Sequence, residues 1–149
     1  MAHPNLGYEK FVQEANEYFT QLASDFGHPN EESRASMIWR AVIHTIRDRI
    51  HMGEFLDFIS TMPMIMKATA IEGWKFRDKP LHEYQTIEEM KTLVKARQTD
   101  YGEYEFDWEN PTEELITTTL ASLEQYVPDS QMEHIRGQLP EEVKDVIPN

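Results

Sequence analysis

A chain of 149 residues with 40% hydrophobic side chains, three Trp, seven Phe and six Tyr carries enough apolar bulk for one domain-sized core, which excludes a disordered chain. It contains no Cys, which excludes disulfides, thiolate metal sites and cysteine nucleophiles together. Its net charge of −13 is concentrated in residues 76–149, where 7 basic side chains face 17 acidic ones, so phosphate backbones and anionic membranes are poor partners.

No apolar run reaches the roughly 20 residues that span a bilayer. Met1-Ala2-His3-Pro4-Asn5 lacks the basic-then-apolar pattern of a signal peptide. A cytoplasmic protein is expected.

Helical periodicity dominates from the first elements. Phe11, Val12, Ala15, Tyr18, Phe19 and Leu22 recur at the spacing of a one-faced helix. Ile38, Ala41, Val42, Thr45, Ile46 and Arg49 predict a second. Phe55, Phe58, Ile59 and Met62 predict a short third, and Pro63 to about Ile71 a fourth, since proline bends the chain before it and suits a first helical turn. Residues 75–85 form a polar linker. The second half starts on Thr86 with Glu89, a capping box before Met90, Leu93 and Val94. Asn110-Pro111 with Glu113 predicts an N-cap before Leu115, Ile116, Thr119, Leu120 and Leu123. Ser130 with Glu133 predicts the start of a helix bearing Met132, Ile135 and Leu139, and Pro140 opens a last one with Val143, Val146 and Ile147.

One pattern occurs twice. Asp25-Phe26-Gly27 recurs as Asp100-Tyr101-Gly102, and Met62-Pro63 recurs as Leu139-Pro140. An offset of 75 aligns the first pair and 77 the second, the later loop being two residues longer. The expected fold is all-α, a helical bundle of about eight helices built from two related halves, about 8–74 and 83–147, joined by the linker at 75–85. Two-repeat helical chains with a Leu-Pro-type step in each half resemble the bacterial family known as domain of unknown function 2267. The residues that carry the resemblance are Thr61-Met62-Pro63, Gly73-Trp74 and Gln138-Leu139-Pro140. The family usually has Gln-Leu-Pro at the first step, and Thr61-Met62-Pro63 departs from that. The resemblance implies an all-α domain and no particular activity.

Three stretches could carry function. His44, Asp48 and His51 share one side of the second helix at i, i+4 and i+7. Two imidazoles and a carboxylate suit a divalent metal. The competing reading is solvated side chains, since this side lies off the Ile38-Val42-Ile46 stripe. Met62, Met64 and Met66 suit either a pliable apolar groove or ordinary packing. Tyr104-Glu105-Phe106-Asp107-Trp108-Glu109 alternates aromatic and acid. It reads as a short strand whose aromatic face is stapled to the core, or as a partner site in which Tyr104, Phe106 and Trp108 anchor and the acids steer a basic partner. A calcium loop lacks the Asp-x-Asp-x-Asp-Gly register.

No nucleophile elbow, phosphate loop or dinucleotide motif is present. The expected function is a non-catalytic protein that binds a protein partner or self-associates, with no cofactor. The alternative is a metal-binding protein or metal-dependent enzyme using the His44, Asp48 and His51 face.

Overall fold

A computed structural model describes residues 7–148, so Met1-Ala2-His3-Pro4-Asn5 lies outside the described residues. Seven α-helices and two 3-10 helices make up the described chain, which contains no strand. They are α1 (Tyr8–Asp25), α2 (Glu32–Arg47), α3 (Met52–Ile59), α4 (Met64–Ile71), α5 (Ile87–Asp100), α6 (Thr112–Ser122) and α7 (Asp129–Gln138). The 3-10 helices are Leu123–Gln125, continuing α6, and Glu141–Val146 at the end. The expected all-α bundle is the fold observed.

The bundle is organised around α2. It packs against α1, α4, α5 and α6, while α3 packs against α7. At its C-terminal end α2 is buried without a break over residues 41–47, as is the following Asp48. Trp39 of α2 is fully buried, with the Phe19 ring edge-on to it at 5.9 Å between centroids. Phe55 and Phe58 of α3 are likewise fully enclosed, and each such side chain contributes about 1.5–3 kcal/mol. Helix α6 is tied to α1 by a hydrogen bond between the Tyr18 and Ser122 hydroxyls. Burial raises the Tyr18 phenol above its ordinary range, so it stays protonated and can donate.

Both repeated Gly positions end a helix in the same way. At the end of α1, Gly27 donates to the Ser24 carbonyl and His28 to that of Ala23, with Gly27 at φ +85°. At the end of α5, Gly102 donates to Thr99 and Glu103 to Gln98, with Gly102 at φ +114°. This double reversal satisfies orphan carbonyls and requires positive φ, which a Cβ opposes.

Several starts differ from expectation. Thr86 does cap α5, its hydroxyl accepting from the Glu89 amide at 3.1 Å, but the Glu89 carboxylate returns to the Thr86 hydroxyl at 3.1 Å and to the Gln85 amide at 3.3 Å instead of to the Thr86 backbone amide. Pro111 rather than Asn110 occupies the cap of α6, because the Asn110 side chain is spent on the Phe26 carbonyl at 2.8 Å. Helix α7 begins at Asp129 after Pro128, one residue before the expected cap at Ser130. Pro140 opens a 3-10 turn where an α-helix was expected.

The 75–85 segment is more than a polar tether. Tyr84 is 3% exposed and donates to the Thr45 carbonyl at 3.1 Å. The His82 amide donates to the Asp48 carbonyl, and Arg49 Nε donates to the Tyr84 carbonyl. These bonds strap the segment along the end of α2.

Candidate functional site

The proposed metal face is dismantled by its surroundings. His44 is 1% exposed, and both ring nitrogens are engaged. Nε2 lies 2.8 Å from the Thr69 carbonyl, which can only accept, so Nε2 carries the proton. Nδ1 therefore accepts from the Tyr101 hydroxyl at 2.6 Å. Burial, reinforced by the Arg47 charge, lowers the His44 pKa to about 4, so the ring is neutral near pH 7.

Asp48 is also buried, between Arg47 at 2.9 Å and Arg97 at 2.6 Å. Burial alone would raise its pKa. The Arg47 hydrogen bond and the two guanidinium charges outweigh that and hold the carboxyl below its ordinary value. His51 stands apart on the exposed surface, its amide facing Gln138 Oε1 at 3.5 Å. Among the described residues no three His, Cys, Asp or Glu side chains converge as a metal site. The expectation of solvated side chains is corrected as well, since α2 has no outward side at His44 and Asp48.

The aromatic strip splits into a docked end and a free end. Trp108 is partly buried, stacked on the His28 ring at 3.9 Å and 5°. Its Nε1 donates to Glu31 Oε2 at 3.1 Å, and the Arg34 guanidinium lies 4.9 Å from its ring centroid. Arg34 also pairs with Asp107 at 2.6 Å and with buried Glu103 at 3.5 Å. Gln98 Nε2 donates to Glu103 at 3.0 Å. The Arg34 hydrogen bond lowers the Asp107 pKa. His28 Nε2 donates to Asn110 Oδ1 at 2.9 Å. Phe106 takes φ +48°, which breaks the alternation. Between these anchors Tyr104 is 77% exposed and Phe106 37%.

Two open grooves meet beside this loop. The first, about 580 Å³, runs between the start of α2 and residues 102–107. Among the described residues it is lined by Tyr104 and by four carboxylates, Glu31, Glu103, Glu105 and Asp107, against the single cation Arg34. The second, about 380 Å³, lies between α1, α2 and α4, with Tyr101 at one side. Ser33 and Met37 line both.

A family model described as an uncharacterised conserved protein, DUF2267, matches residues 15–146. The chain belongs to this family. No curated protein matches it.

The residues that carried the resemblance to DUF2267 hold structural positions here. Pro63 and Pro140 cap α4 and the last 3-10 helix with ψ near 150°. Gly73 turns the chain at φ +69°, and Trp74 meets the ring of Phe55 at 5.3 Å. Of the methionines, Met62 and Met66 are core and Met64 is 49% exposed, so they form no continuous surface. Sequence reasoning missed Tyr101, Arg40, Arg34 and Glu103 as site residues. The Asp-aromatic-Gly repeat was the one signal pointing at Tyr101, and it gave no hint of the bond to His44.

Proposed function

We propose that this DUF2267 chain is a non-catalytic binding module that takes a basic, amphipathic segment of another protein along the groove beside Tyr104. One observation carries this reading. The 101–110 loop is fixed at both ends by Glu103, Trp108 and Asn110, yet leaves Tyr104 and Phe106 exposed beside four carboxylates. A rigid aromatic costs little entropy to place, and tyrosine is enriched at the centre of binding sites. The surrounding acids supply steering toward positive partners. A second copy of the chain is a poorer occupant, because two bodies of −13 repel.

Affinity capture from native extract tests the proposal when run beside a Tyr104→Ser/Phe106→Ser variant. Proteins with a basic segment should be held by the natural chain and lost from the variant. Identical captured sets from the two would refute it.

The two halves are proposed to be a duplicated unit. The matched turns at Gly27 and Gly102 support this, as do the caps at Pro63 and Pro140. So does the packing: with α1 matched to α5, α2 to α6 and α3 to α7, the contact of α2 with α5 corresponds to that of α1 with α6. Comparing first halves with second halves across the family should give similarity at offsets near 75 and 77. Similarity no greater than between shuffled halves would reject duplication.

A further inference from the structure

The groove between α1, α2 and α4 differs from the acidic one next to it. In a chain of net charge −13, the only charged side chain lining it among the described residues is positive, the Arg40 guanidinium. The remaining wall is largely apolar, including Phe19, Met37 and Ile65. Its volume, about 380 Å³, falls within the usual span of small-molecule sites, which combine apolar walls with a few placed polar groups.

Arg40 is held in place by two neighbours, Tyr101 and Glu72. Its guanidinium lies 3.9 Å from the Tyr101 ring centroid, a cation–π arrangement. Tyr101 is itself fixed by the bond from its hydroxyl to His44. One terminal nitrogen of Arg40 pairs with the Glu72 carboxylate, which is half exposed at the end of α4. Its Nε is buried and makes no hydrogen bond. Nε is closed to solvent, so a ligand in the groove meets the terminal nitrogens of a side chain that is 32% exposed, charged donors suited to a carboxylate.

We propose that this groove binds a small amphipathic carboxylate, its apolar tail along Phe19, Met37 and Ile65 and its carboxylate on Arg40. Glu72 is the internal stand-in for that carboxylate, and the ligand competes with it for the guanidinium. Tyr101 positions Arg40 and donates nothing to the ligand, because its proton is committed to His44. The site adjoins the Tyr104 groove, sharing Ser33 and Met37 with it, but does not depend on the peptide-binding proposal.

Calorimetry and methyl-detected NMR with sodium octanoate and 1-octanol test it on the full chain. Octanoate should bind one-to-one and shift the Met37 and Ile65 methyls. The Arg40→Gln variant and the change to octanol should each weaken binding about tenfold, the loss of a charge-assisted pair. Glu72→Gln should tighten octanoate binding by removing the competitor. Ser36→Trp, which fills the groove from its open side, should abolish the Met37 and Ile65 shifts while leaving the remote Ile135 methyl in place, so loss of binding is separated from loss of fold. Octanol binding as tightly as octanoate, unchanged affinity in Arg40→Gln, or no methyl shifts in the groove would each overturn the proposal.

Discussion

The Tyr101 hydroxyl donates to His44 Nδ1 at 2.6 Å, joining the end of α5 to the last turn of α2 across 57 residues of sequence. The contact makes an imidazole a permanent acceptor inside the core. It also holds the phenol ring under Arg40 at the edge of a groove.

That arrangement sets a pH dependence. His44 has a folded pKa of about 4 against an ordinary value of 6.5, so between those values the unfolded chain binds a proton that the folded chain does not. Stability is therefore full above about pH 7 and falls as pH drops toward 4, by about 3 kcal/mol at roughly 1.4 kcal/mol per pKa unit. Urea unfolding at pH 7.5, 6 and 5 should show the decline. His44→Gln should flatten it, leaving the smaller dependence of His82, whose pKa is lowered by burial and by Arg97. Tyr101→Phe should cost about 1–3 kcal/mol at pH 7.5 by orphaning Nδ1.

Asp48 should be among the least tolerant polar positions. It answers Arg47 and Arg97 together inside the bundle. Asp48→Asn leaves both guanidinium groups short of a counter-charge and should destabilise by about 3–5 kcal/mol, read from the denaturation midpoint. A loss below about 1 kcal/mol, the scale of a surface pair, would show that solvent reaches the cluster.

The paired helix ends make a backbone prediction. Gly27→Ala and Gly102→Ala should each cost about 1–2 kcal/mol, because both sites hold positive φ. Added methyls meet no clash at either, the nearest atom being Met37 Cε at 3.8 Å from position 102, so the cost is conformational. Gly53→Ala, inside α3 with open space around it, should stabilise by about 0.5–1 kcal/mol. Thermal melts of the three variants check the contrast in sign.

The strip should divide by position. Trp108→Ser removes a ring packed on His28 and Phe26 and a bond to Glu31, and should cost at least about 2 kcal/mol. Tyr104→Ser should stay within about 0.5 kcal/mol of the natural chain. In a Trp39→Phe/Trp74→Phe background, Trp108 fluorescence should be partly protected from quencher.

Much of the fold was written in local sequence. The period of Phe11 to Leu22 marks α1, Thr86 marks the start of α5, and both Asp-aromatic-Gly triplets mark helix ends. The site was hidden because its contacts are long-range. An off-stripe position on a lone helix is a solvent position, but the C-terminal end of α2 is enclosed, so His44 and Asp48 became interior. Arg97 lies 49 residues from Asp48, and periodicity cannot pair them. The alternation at 104–109 suggested a strand, whereas the acid at 107 serves Arg34 and Trp108 serves the loop at 28–31.

Selection of a displayed random-peptide library on the immobilised chain tests the central claim most directly. The account predicts enrichment of peptides with net positive charge and an apolar face, whose binding weakens with salt and falls about tenfold or more in Tyr104→Ser, the scale of an aromatic anchor. Enriched peptides that are neutral or acidic, or that bind Tyr104→Ser as well as the natural chain, would contradict it.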